Sequence, residues 1–154
     1  MKNGTANVLL RTSTVLWVVW GLVHALAGVM TITLDTAAGF QGIADGVPPE
    51  AIEANYHGAV GAVLNQHGWN LLWGGLYTVI GALFIWRGNF TAIWTTAVVG
   101  GLLDVGYFLF LDLGGYVNFV PGTVMTLVSS AGILLSFSAY CFNLRKVTEA
   151  SVNT

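Results

Sequence analysis

The chain has 154 residues, 55% apolar and 8% charged, with a mean hydropathy of +0.74 and a formal net charge of −2. A soluble domain carries about a quarter of its residues charged, so this composition excludes a water-solvated surface. No basic patch interleaved with aromatics points to nucleic acid, and the lone Cys141 excludes an internal disulfide or a cysteine zinc cluster.

The apolar residues fall in four blocks, each near the roughly 20 residues that cross a bilayer. The first is expected over 12–34. Lys2 and Arg11 precede it, and Ala25-Leu26-Ala27 resembles a cleavage site. Its uncharged stretch is longer than the roughly 7–15 residues of a signal-peptide core, so the reading is a retained span. The following connection, 35–60, holds the turn signals Asp45-Gly46 and Pro48-Pro49. Pro49 followed by Glu50 and Glu53 has the form of a helix start. Ile52, Tyr56, Val60 and Val63 then recur at helical spacing, which predicts a short helix lying in the interface.

The second span is expected over 64–86. A tight hairpin, Arg87-Gly88-Asn89, leads to the third over 90–111. A connection from Asp112 to Pro121, with a Gly114-Gly115 turn, leads to the fourth over 120–144. The predicted fold class is an all-α integral membrane protein. It is an up-down bundle of four transmembrane helices forming one membrane domain over 1–154.

Charge sets the expected orientation. The basic residues are Lys2, Arg11, Arg87, Arg145 and Lys146, all at one end of an even-numbered bundle. The other end carries Asp35, Asp45, Glu50, Glu53 and Asp112. The positive-inside rule puts the basic end, with both termini, in the cytoplasm, and a bacterial inner membrane is the expected location. Trp69, Trp86 and Trp94 suit interfacial belts, whereas Trp17 and Trp20 have no clear place in them.

Polar groups in lipid are costly and need a partner or a cavity. Helical spacing puts each beside small residues, which mark close helix contacts. His24 shares a face with Gly21, Ala25 and Gly28. Asp104 shares one with Ala97, Gly100 and Gly101. His67 and Asn70 share one with Gly74, Tyr77, Thr78 and Gly81. Gly122, Thr126, Ser129 and Ser136 lie on one side of the last span. At about 1.5 Å rise per residue, His24 and Asp104 fall at similar depths, with His67 and Asn70 nearer the outer end.

The predicted ligand-binding or proton-relay set is therefore His24, Asp104, His67 and Asn70, extended by Tyr77. A carboxylate beside an imidazole suits proton transfer. His24, His67 and Asp104 could instead ligate a transition metal, and two facing histidines a haem iron, so a metal ion or haem is the candidate cofactor. Packing glue is the plain structural reading of the same residues. No catalytic nucleophile set is recognisable, so an enzyme is not expected. The alternative function is a non-catalytic accessory subunit of a larger membrane complex or homo-oligomer. The expected partners are the bilayer, other membrane subunits or a second copy.

Overall fold

The computed structural model describes residues 4–53 and 55–152, with side chains as far as Phe142. It contains five α-helices: α1 (Gly4–Thr33), α2 (Thr36–Ile43), α3 (Gly58–Ile85), α4 (Phe90–Tyr107) and α5 (Val124–Val152). The described residues contain no strand. Four segments are long and apolar enough to cross a membrane: Gly4–Thr33, Gly58–Ile85, Phe90–Asp112 and Phe119–Phe142. Lys2, and the side chains of Arg145 and Lys146, lie outside what is described.

The long helices form a four-cornered bundle. α1 packs on α3 and α5, and α4 packs on the same two, so α1 and α4 are diagonal. The α1–α3 seam is built from missing side chains. A Cβ on Gly21 would lie 2.6 Å from the Gly75 carbonyl oxygen, and one on Gly28 would lie 2.5 Å from that of Gly68. Backbone thus packs directly on backbone, as small residues permit in membrane helices. On the diagonal, Trp17 and Trp20 of α1 are fully buried and fill the middle of the bundle. Gly100 of α4 and Gly132 of α5 leave room for the Trp17 indole. Ser13 Oγ donates to the Gly132 carbonyl at 2.8 Å, tying α1 to α5.

The outer surface of the spans is apolar. Leu22 and Leu26 on α1, Ile80 and Leu83 on α3, Leu102 on α4 and Leu134 on α5 are all exposed. A bilayer is the solvent that accepts such a surface while leaving helical backbone bonds internally satisfied.

The turns follow from local chemistry. α3 ends on Gly88, whose φ of +75° suits glycine at a helix C-terminus. Asn89 N–H donates back to Phe84 at 3.1 Å, and Asn89 Oδ1 then accepts from Ala92 N–H at 3.0 Å, capping α4. This is the tight 87–89 hairpin expected from the sequence.

The 35–60 connection differs from expectation. The helix start read at Pro49 gives only a single 3-10 turn, Pro49–Ala51. The short helix lies upstream, over Thr36–Ile43, because Asp35 Oδ1 accepts from Ala38 N–H at 2.9 Å and supplies the cap. Val60 and Val63 belong to α3, which begins earlier than expected, at Gly58. His57 Nδ1 caps it by accepting from Ala59 N–H at 3.2 Å. The first helix likewise begins at Gly4 rather than near residue 12.

The two connections at this end are stitched together. Asp45 Oδ1 accepts from Asn118 N–H at 2.8 Å, and Asn118 Nδ2 donates to the Asp45 carbonyl at 2.9 Å. Gly46 N–H donates to the Tyr116 carbonyl at 3.0 Å. A Cβ on Gly46 would lie 2.8 Å from Val117 N and 2.9 Å from Tyr116 C. Gly46→Val is expected to part the connections while sparing the helices. Amide hydrogen exchange checks this: Gly46 and Asn118 should lose protection while α1 and α3 keep theirs. Unchanged exchange at Gly46 and Asn118 would refute the stitch.

Candidate functional site

The site begins with one turn of α1. Trp20 and His24 stand four residues apart and so occupy one helix face. Their rings stack, with centroids 3.6 Å apart and planes 19° from parallel. Trp17, one turn earlier, meets Trp20 edge to face at 5.8 Å and 77°. This aromatic column fixes the imidazole.

Asp104 of α4 meets the column from the opposite corner of the bundle. It is buried. Trp20 Nε1–H donates to Asp104 Oδ2 at 2.8 Å. His24 Nε2 stands 3.6 Å from Asp104 Oδ1. The equal depths read from the sequence are thus matched by a direct pair.

The imidazole's other nitrogen decides the chemistry. His24 Nδ1 lies 2.8 Å from the Trp20 carbonyl oxygen. A carbonyl oxygen only accepts, so Nδ1 carries a hydrogen. In neutral His24 the lone pair is then on Nε2, facing a carboxylate oxygen. Two lone-pair atoms facing each other in a low-dielectric interior repel. A proton on either partner makes the pair attractive, as imidazolium with carboxylate or as carboxylic acid donating to imidazole.

A cavity of about 90 Å³ adjoins the pair. It runs from His24 and Asp104 past His67 and Tyr107 to Gly42 and Asp45 of the stitched connections. A water needs about 10–15 Å³ of such space, so the cavity has room for a few waters or a small ion. Backbone irregularity shapes its far wall. α4 ends in a wide π-type turn, Phe108–Asp112. Pro121 and Gly122, at the irregular entry to α5, line the cavity beside Tyr107. Turns of this kind are frequent at functional sites.

The other sequence-predicted residues divide. His67 lines the cavity with His24 and Asp104. Asn70 does not; its Oδ1 accepts from Trp73 Nε1–H at 3.2 Å on the bundle exterior. Tyr77 is 37% exposed and faces away, beside Ile80 and Phe84. The inward face of α3 instead runs through Gly68, Leu71, Gly74, Gly75 and Thr78, so Tyr77 is turned one residue off it. Among the described residues, no three of His, Cys, Asp or Glu gather closely enough to hold a metal ion.

Two contributors were missed from the sequence. Trp20 was unplaced because an indole in an apolar helix resembles an interfacial anchor. Its i, i+4 relation to His24 was the available signal. The sequence shows Asp45 only as outer charge, and nothing local to it indicates its place on the cavity wall.

No known protein-family model, curated protein or solved structure matches the chain.

Proposed function

We propose that this chain is a small multi-pass membrane protein whose interior takes up and releases a proton at His24 and Asp104. The observation that carries this reading is that His24 Nε2 stands 3.6 Å from Asp104 Oδ1 while Nδ1 lies 2.8 Å from the Trp20 carbonyl oxygen. A proton on either partner would let this junction close into a hydrogen bond. Trp20 holds the carboxylate by its second oxygen, so protonation changes charge without freeing the side chain.

The cavity supplies the route. Its lining includes His67 and, from the connections, Gly42 and Asp45, which favours water entering from that end. The opposite end carries Arg11 and Arg87. The positive-inside rule assigns that end to the cytoplasm of a bacterial inner membrane, so the proton is exchanged with the outer phase. Both chain termini are then cytoplasmic. Among the described residues no three His, Cys, Asp or Glu gather closely enough to hold a metal ion, which favours a proton over a metal.

Infrared difference spectroscopy on the reconstituted protein tests this. A pH step should give a carboxyl band coupled to an imidazole band. Asp104→Asn should abolish the first and alter the second. A spectrum identical in wild type and Asp104→Asn would remove the proposal.

A further inference from the structure

The end of the bundle opposite the cavity carries a second polar feature. Arg11 near the start of α1 and Arg87 in the α3–α4 turn line one recess of about 380 Å³. The remaining walls are Asn7, Leu10, Trp86 and Gly88, so the lining contains two cations and no acid. The Arg11 guanidinium lies over the Trp86 ring, 4.9 Å from its centroid. Arg87 lies 5.8 Å from the centroid of Phe84. Among the described residues neither arginine forms an ion pair.

Two guanidiniums that form no ion pair among the described residues and lie against aromatic rings make a fork-shaped donor set for phosphate oxygens. Trp86 is half exposed, as suits an indole at the headgroup level. Val15 lies one turn inward from Arg11 on the same face, and Leu83 one turn inward from Arg87. Both are exposed apolar side chains. The recess thus presents two cations, with exposed apolar side chains one helical turn inward of each.

We propose that Arg11 and Arg87 jointly seat the phosphate of an anionic phospholipid, whose acyl chains lie along Val15 and Leu83. A free phosphate ion would use the rim alone and leave the apolar wall uncovered. The proposal rests on the membrane reading of the chain and is independent of the His24–Asp104 proton site.

The test is lipid binding by native mass spectrometry of the full, delipidated chain in detergent. The probes are phosphatidylglycerol and phosphatidylcholine of equal chain length. Wild type should prefer phosphatidylglycerol. Each of Arg11→Gln and Arg87→Gln should lower that preference about fivefold, the equivalent of about 1 kcal/mol per basic residue. The double variant should bind both lipids alike. Arg11→Lys with Arg87→Lys keeps the charge and should keep part of the preference. Inorganic phosphate at the lipid's concentration should not displace it. Equal binding of the two lipids by wild type would overturn the proposal. So would a preference surviving in the double glutamine variant, a lysine variant as impaired as the glutamine one, or displacement by inorganic phosphate. None of these outcomes bears on proton binding at Asp104.

Discussion

Gly28→Leu should unseat α1 from α3 and cost about 3 kcal/mol, the upper end of overpacking costs. The reason is that the new Cβ meets backbone rather than side chain. It would lie 2.5 Å from both the Gly68 carbonyl oxygen and Leu72 N, and 2.9 Å from Leu72 Cα. A flexible neighbour could rotate away, but two helix backbones can only separate. Separation would also lift Trp20 and His24 away from Asp104, because the first two stand on α1 and Asp104 on α4. Gly106→Ala is the matched control. It lies within α4, and nothing stands within 4 Å of its added Cβ, so it should be neutral or slightly stabilising through helix propensity. Reversible unfolding in mixed detergent micelles measures both. A Gly28→Leu variant as stable as Gly106→Ala would show that the seam is looser than the glycine contacts require.

The second large effect is expected at Asp104, where two substitutions should separate stability from proton chemistry. Asp104→Ala removes the acceptor of the buried Trp20 N–H and should cost about 1–3 kcal/mol, the range for a stranded buried polar group. Interhelical hydrogen bonds within membranes often measure nearer the low end of that range. Asp104→Asn should stay close to wild type. Its amide oxygen can accept from Trp20, and its NH₂ can donate to the Nε2 lone pair of neutral His24. Asparagine would thus supply permanently the hydrogen that, on the proposed function, the wild-type junction takes from solution. Unfolding measurements on the two variants check this ordering. Equal destabilisation by alanine and asparagine would mean that charge, not hydrogen bonding, holds Asp104 in place.

Much of this arrangement is legible in the amino acids. Four long apolar blocks mark four candidate spans, because lipid leaves helices as the way to satisfy the backbone within one chain segment. Arg87-Gly88-Asn89 reads as a turn since glycine accepts the left-handed conformation and asparagine caps the next helix. His24 and Asp104 could be matched by depth because helical rise is constant. Helix rotation is harder to read. Tyr77 and Thr78 both flank the glycines of α3, yet Thr78 is buried and Tyr77 exposed. Small residues on several sides of one helix leave its inward direction open by about one residue. The short helix was displaced for a similar reason. Pro49 and Glu50 signal a start that the next residues do not continue, whereas Asp35 caps a run of Ala and Gly with weak periodicity. Trp20 depended on tertiary structure, as its role exists only once α4 stands diagonally across from α1.

Sided fluorescence tests the central claim, that Asp104 and His24 exchange a proton with the aqueous phase at the connection end. Trp20 is the reporter, since its ring stacks on His24 and its N–H is held by Asp104. Its signal is the difference between wild type and Trp20→Phe in vesicles of known protein orientation. Changing pH only on the side of Asp45 should alter that signal, and changing it only on the side of Arg11 should not. A response confined to the Arg11 side, or no response from either side, would contradict the account.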